Sequence, residues 1–195
     1  MSLLSNTPEP LKPDTPPGNL PTDGDILRQP TELRELLDRA AIRELVGRFA
    51  CGIDFRDWDA FAALFTTLVS VHLDPRTSGS PPVPVPVAMW KKFAGASFEY
   101  YHSTHHAVVV DYVELNGDEA EAVSHFTASH YLANPDGSPT FVQKGTYHHR
   151  FKRTDEGWRI TGWNQDVRWG EGNRAVLDKA MSELPSELLG ELTGK

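Results

Sequence analysis

Proton transfer is the chemistry this sequence is equipped for. An acidic turn, Ile53-Asp54-Phe55-Arg56-Asp57-Trp58-Asp59, lies between two helical patterns, and a strand-rich block downstream carries His105, His106 and His125. That block closes on Gln165-Asp166-Val167-Arg168-Trp169-Gly170-Glu171. A carboxylate from a helix junction and histidines from a sheet meet only through tertiary folding. In an apolar cavity they would form an acid–base set, because an imidazole near its working pH can take a proton and return it. A buried carboxylate such as Asp54 would fix the imidazole tautomer and stabilise its charged form.

Other reactive readings are weaker. The eight histidines include His102-x-x-His105-His106 and the pair His148-His149. Adjacent strand histidines point to opposite faces and cannot easily share an ion, and no Glu-x-x-His pattern accompanies them. Neither a metal nor an organic cofactor is expected. Cys51, the single cysteine, sits in a helical pattern between Phe49-Ala50 and Gly52-Ile53, so no internal disulfide is possible and a buried, inert thiol is expected.

The 195 residues suggest one domain, and 39% hydrophobic content supplies an ordinary core. A net charge of −8 without a basic stripe excludes a nucleic-acid partner. No apolar run approaches a membrane span, and Leu3-Leu4 is too short for a leader, so a cytoplasmic protein is expected.

Three segments follow from composition. Residues 1–30 hold seven prolines and few large apolar groups, which predicts an extended tail. Residues 31–184 form the domain, and 185–195 a short tail. Pro30 and Thr31 predict the start of a helix, with Leu33, Leu37, Ala41, Leu45 and Phe49 at i+4 spacing and Ile42, Val46 and Ile53 widening the buried stripe. Asp57 would cap a second helix carrying Trp58, Phe61, Leu64 and Phe65. A short strand at Val69–Leu73 precedes a Pro/Gly/Ser-rich loop over 74–86, then a helical pattern over Val87–Tyr101 that includes Trp90.

From His106 onward the period becomes two. Asn116-Gly117 signals a hairpin, and turns at 134–137 and 155–157 separate two further strands, Thr140–Arg153 and Trp158–Val167. A modest helix over Asn173–Leu184 ends the domain. Three helices, one early strand and a four-stranded meander indicate an α+β fold with a curved sheet wrapped round helices. Alternation puts His105 and His106 on opposite faces; His125 goes with Thr127, Ser129 and Tyr131, and His130 takes the other face. The pattern leaves open which face is inside, since Val109 and Val113 make both sides of their strand apolar. Such two-sidedness suggests cover by another subunit.

Asp54-x-x-Asp57-Trp58-Asp59, Thr104-x-His106, Gly117-Asp118, His125, the strand Lys152–Trp158 and Asp166-Val167-Arg168-Trp169-Gly170-Glu171 together resemble scytalone dehydratase, within the SnoaL-like, nuclear-transport-factor-like superfamily. The likeness spans roughly residues 36–183. It implies a cone-shaped α+β barrel, mostly antiparallel, with a cofactor-free site inside. It also implies that Asp54, His106 and His125 are the catalytic set. Hexachlorocyclohexane dehydrochlorinase looks like a relative using the same Asp–His arrangement. Four substrate-handling positions of the family differ here, at Ile53, Leu73, Gly145 and Tyr147, so the fungal pigment precursor is not the expected substrate. Trp90 and Tyr131 are expected to complete the lining, and Tyr147 to supply a donor for enolate charge.

These readings lead to a lyase, a dehydratase acting on a cyclic, polyketide-like or aromatic-precursor ketone of secondary metabolism. The rivals are an isomerase, cyclase or epoxide-opening enzyme with the same pocket, and a non-catalytic binding module. The expected partners are a small-molecule substrate and further copies of the chain. The resemblance favours a trimer over a dimer.

Overall fold

A computed structural model describes residues 23–73, 83–133 and 137–185, with the side chains of 23–30, 73 and 83 outside that description. The chain divides into two compact units, residues 1–34 and residues 35–195. Of the first, the described part is helical, with Leu33 exposed. The remaining elements belong to the second unit.

Helix α1 runs Asp23–Asp54 and α2 Trp58–Ala62; strands β1 (Phe65–Leu73) and β2 (Val83–Pro86) follow, then α3 (Val87–Glu99). The meander is β3 (Ser103–Asn116), β4 (Glu119–Tyr131), β5 (Thr140–Thr154) and β6 (Gly157–Gly172), and α4 (Arg174–Ser182) ends the fold. The sheet has six strands in the order β2-β1-β6-β5-β4-β3, antiparallel except where β1 runs parallel to β6. Among the described residues the sheet is open, with β2 and β3 at its edges, and the fold is α+β. Among the described residues no helix is long and apolar enough to cross a membrane.

Local sequence explains most boundaries. The Asp57 side chain accepts a hydrogen bond from the Ala60 N–H at 3.0 Å and so caps α2. Gly117 (φ 62°) occupies the first central position of the two-residue β3–β4 turn, where a left-handed backbone favours glycine. Asn173 caps α4 by accepting from the Ala175 N–H.

Five expectations need correction. Helix α1 begins at Asp23, upstream of Pro30. A proline inside a helix removes one hydrogen bond and crowds a carbonyl, and here the helix continues on both sides of it. The buried stripe does not include Leu33, Leu37 or Ala41. It runs through Asp38, Ile42, Val46, Phe49, Ala50 and Ile53, because α1 meets the sheet only from Asp38 onward. Cys51 is exposed, one position off that stripe. Phe65 opens β1 instead of extending α2, and residues 83–86 of the expected loop form an edge strand, a position that tolerates its prolines. The predicted turn at 134–136, the rest of the loop at 74–82, and residues 1–22 and 186–195 of the two tails lie outside the described residues.

Phe49 sits at the centre of the core. Its ring lies 5.5 Å from Phe61, 5.9 Å from Tyr147, 5.2 Å from His149 and 5.5 Å from Trp163. At the other end of the α1 stripe, Asp38 accepts Arg153 Nη1 at 2.8 Å, Arg153 Nη2 at 2.5 Å and Trp158 Nε1 at 3.0 Å. This buried carboxylate clamps the helix to β5 and β6. Arg153 also bonds Asp118 at 3.0 Å, but Asp118 is largely exposed. Asp38→Ala should therefore cost about 3 kcal/mol, by leaving a guanidinium edge and an indole N–H unpaired. Asp118→Ala should cost under about 1 kcal/mol. Urea denaturation of the two variants measures the difference, and equal losses would contradict the clamp.

Candidate active site

Asp54 continues the α1 stripe by one helical step beyond Val46 and Ala50, so its side chain leaves the helix end toward the sheet. Opposite it, Thr104 and His106 share one face of β3. The Thr104 hydroxyl donates to Asp54 Oδ1 at 2.9 Å, and His106 Nδ1 lies 2.6 Å from the same oxygen. The His106 backbone N–H donates to Oδ2 at 2.7 Å. That N–H is available because β3 is an edge strand with one row of unpaired backbone groups. The Thr-x-His spacing thus puts two side chains and one main-chain donor on a single carboxylate. Burial pushes the Asp54 carboxyl up, but the His106 ring and backbone bonds, the imidazole's charge and the Thr104 hydroxyl together bring it below the ordinary aspartate value.

The chain then turns through Arg56, whose φ of 54° is unusual for a side-chain-bearing residue. Its guanidinium donates to the carbonyls of Phe98 at 3.2 Å and Tyr101 at 2.5 Å, tying the Asp54 corner to the end of α3. Phe98 and Tyr101 in turn frame the cavity.

With Nδ1 engaged by Asp54, the other nitrogen of His106, Nε2, is left for a cavity of about 130 Å³ that His106 helps to line. The walls are largely aromatic, with Phe49, Phe61, Trp90, Phe93, Tyr147 and Trp163 from the core, and Leu177 and Met181 from α4. His130 also lines it, 6.0 Å from the His106 ring, stacked on Phe98 and 4.8 Å from Tyr101. Burial, followed by the proximity of His106, lowers the His130 pKa to about 4, so its imidazole is neutral at neutral pH. Burial and then the Asp54 charge raise the Tyr147 phenol far above its usual value, which keeps the hydroxyl protonated. Among the described residues, no three His, Cys, Asp or Glu side chains are grouped closely enough to hold a metal ion.

The structure brings Asp54 and His106 together, and Ile53, Trp90 and Tyr147 line the cavity. It does not bring His125 or Tyr131 there. Both are exposed on the opposite sheet face, and His125 pairs with Asp111 at 2.8 Å. The reason is register. Gly145 is buried but contributes no lining surface; a Cβ there would lie 2.0 Å from the Asp166 carbonyl oxygen, so the close approach of β6 requires glycine. Leu73 ends β1 opposite Gln165, and its side chain lies outside the described part. Sequence reasoning missed His130, Gln143 and Gln165. The signal for His130 was the alternation Glu119-Ala120-Glu121-Ala122, which puts the odd positions of β4 outside and His130 inside.

A model of the SnoaL-like domain matches residues 34–164. The chain belongs to the SnoaL-like domain family. The superfamily includes dehydratases and isomerases. No curated protein matches this SnoaL-like chain by sequence. Among solved structures, the Kfla4162 protein of Kribbella flavida is 28% identical with a TM-score of 0.69, covering 74% of this chain and 99% of that one. A type 2 hexachlorocyclohexane dehydrochlorinase, LinA, is similar at 17% identity and TM-score 0.61, over 72% and 91% of the two chains. A scytalone dehydratase-like protein of Novosphingobium aromaticivorans is similar at 18% identity and TM-score 0.59, over 74% and 91%. The last two likenesses are likenesses of fold.

The buried histidines set an acid limit on this SnoaL-like domain. His149 is held near 3 by burial and then by His148, and His130 near 4. A histidine with a lowered folded pKa stays unprotonated where the unfolded chain, near 6.5, already binds a proton. Stability is therefore complete above about pH 6.5 and falls as the pH drops toward 4, by about 3 kcal/mol for His130 alone. Protonation of Asp54 adds its loss only below its ordinary range. Melting curves should show Tm falling between pH 7.5 and 5, and less steeply in His149→Leu. An unchanged slope in that variant would contradict the assignment.

Proposed function

We propose that this SnoaL-like domain is a cofactor-independent lyase that removes water beside a carbonyl, with His106 as the proton-transfer group. The observation that carries the reading is the buried Asp54–His106 pair at the wall of an aromatic cavity. The ionised Asp54 holds the proton on Nδ1, which leaves Nε2 as an acceptor facing substrate. Nε2 takes a proton from the carbon next to the carbonyl, and Asp54 stabilises the imidazolium so formed. The imidazolium then gives that proton to the departing β-hydroxyl, which leaves as water while the enolate collapses to the conjugated ketone.

His130 remains neutral through this cycle, because two imidazolium ions 6.0 Å apart in a dry pocket would repel each other. It can hydrogen-bond the leaving oxygen without competing for the charge. The Tyr147 hydroxyl, protonated and without a hydrogen-bond partner among the described residues, is the donor proposed for enolate charge. The dehydrochlorinase and the scytalone dehydratase-like neighbours support elimination over isomerisation, and a cyclic or aromatic-precursor ketone as the substrate class. Self-association is part of the same reading: Val109, Tyr112 and Trp169 expose apolar surface on the outer sheet face, which supports a homo-oligomer.

The test is a panel of cyclic β-hydroxy ketones, read by absorbance of the conjugated product and by exchange of the α-proton in heavy water. His106→Ala and Asp54→Asn should each lower both signals by about 10²–10⁴-fold with the fold intact by circular dichroism. His130→Ala should lower elimination, whereas His125→Ala should change neither signal. Full α-exchange in folded His106→Ala would sink the mechanism.

A further inference from the structure

The cavity is poor in polar groups, and two of them have no role so far. Gln143 on β5 and Gln165 on β6 line it from neighbouring strands. Neither carboxamide has a hydrogen-bond partner among the described residues, while the Ser97 hydroxyl, another polar group of the wall, is engaged by the Phe93 carbonyl at 2.8 Å. Both residues are half-buried, so a ligand entering the cavity reaches their carboxamides, and one that brings no oxygen partner strips their hydration without replacing it.

Register places both relative to the chemistry. His106 pairs with Ala128, and Ala128 with Gln143, so base and carboxamide stand in one row on the same sheet face, with a single methyl between them. Two strand spacings of about 4.8 Å separate their backbones, a gap that a small substrate spans. Gln165 pairs with Tyr147, beside the proposed enolate donor. No Lys, Arg, Asp or Glu is among the residues lining the cavity, and its second histidine is neutral. A wall of this kind offers an anion no counter-charge and no compensation for lost hydration.

We infer that Gln143 and Gln165 are the specificity-determining residues of the cavity, selecting an uncharged substrate by its carbonyl and hydroxyl oxygens and rejecting carboxylates and phosphates of the same shape. A carboxamide suits that task because it donates to a carbonyl and accepts from a hydroxyl, at neither point requiring charge. The inference deepens the lyase reading, resting on it only for the place of the reacting carbon beside Nε2. It is tested by binding, which needs no turnover.

Three single-ring probes of similar size separate the contributions. Acetophenone carries the carbonyl, ethylbenzene lacks it, and benzoate replaces it with a charge. Isothermal titration of the full chain at pH 8 should give acetophenone at least about tenfold tighter than benzoate, and tighter than ethylbenzene by about three- to tenfold, as one or two neutral hydrogen bonds allow. In Gln143→Leu/Gln165→Leu the preference for acetophenone over ethylbenzene should vanish while ethylbenzene binding is kept, which a collapsed pocket would not do. A double variant that keeps the preference would overturn the inference, and so would benzoate binding as tightly as acetophenone. His125→Ala, on the opposite sheet face, should bind all three as the parent does, and because binding is read without turnover a failed elimination assay and a failed selection are told apart.

Discussion

One extra residue in an edge strand decides which side chains face the cavity. The β3–β4 turn pairs Asn116 with Glu119, and pairing proceeds in step to Tyr112 opposite Val123. The register then slips, and Val110 faces Ser124. Without that bulge at Asp111, His106 would stand opposite Ser129, on the face that carries His125 and Tyr131. With it, Thr104, His106, Val108 and Val110 join Val113 on the inner side. Asp111 is turned outward, where it meets His125 instead. A bulge costs part of a ladder and adds twist. Here it also assigns two histidines to opposite sides of the sheet.

The electrostatics of the pocket follow from that assignment. Asp54 keeps its charge in a half-buried place because three donors reach it, two of them side chains from one face of β3 and the third a backbone N–H that only an edge strand leaves free. Burial without such donors has the opposite result for His130 and His149, which lose the ability to hold a proton at neutral pH. The ionised carboxylate, the imidazole bonded to it and an imidazole that is neutral at neutral pH are consecutive neighbours, 2.6 Å between the first two and 6.0 Å between the two rings. Each state is set by how many donors or charges its position on the strands provides.

Much of this arrangement was legible in the residues. The order of helices and strands, the Asp57 cap and the tight turn at Gly117 come from local patterns acting at short range, and the resemblance carried Asp54 and His106, 52 residues apart, to one site. What failed was non-local. No pattern in β3 marks Asp111 as the bulged position, so resemblance carried the second histidine to His125, although the glutamates of β4 already put that parity outside. The Leu33–Leu37 part of the α1 stripe was misjudged for a related reason. Periodicity finds an apolar face but does not say where along the helix the sheet begins to cover it, and that point is fixed by the Asp38 clamp. Cys51 was misplaced by one position on the same helix.

The two free edges of the sheet are unequal. Pro84 and Pro86 remove two main-chain donors from β2, and the bulge interrupts the row presented by β3, where Asp54 already occupies the N–H of His106. Neither border offers an unbroken template for a further strand. Copies of this chain are thereby steered away from growing a continuous ribbon.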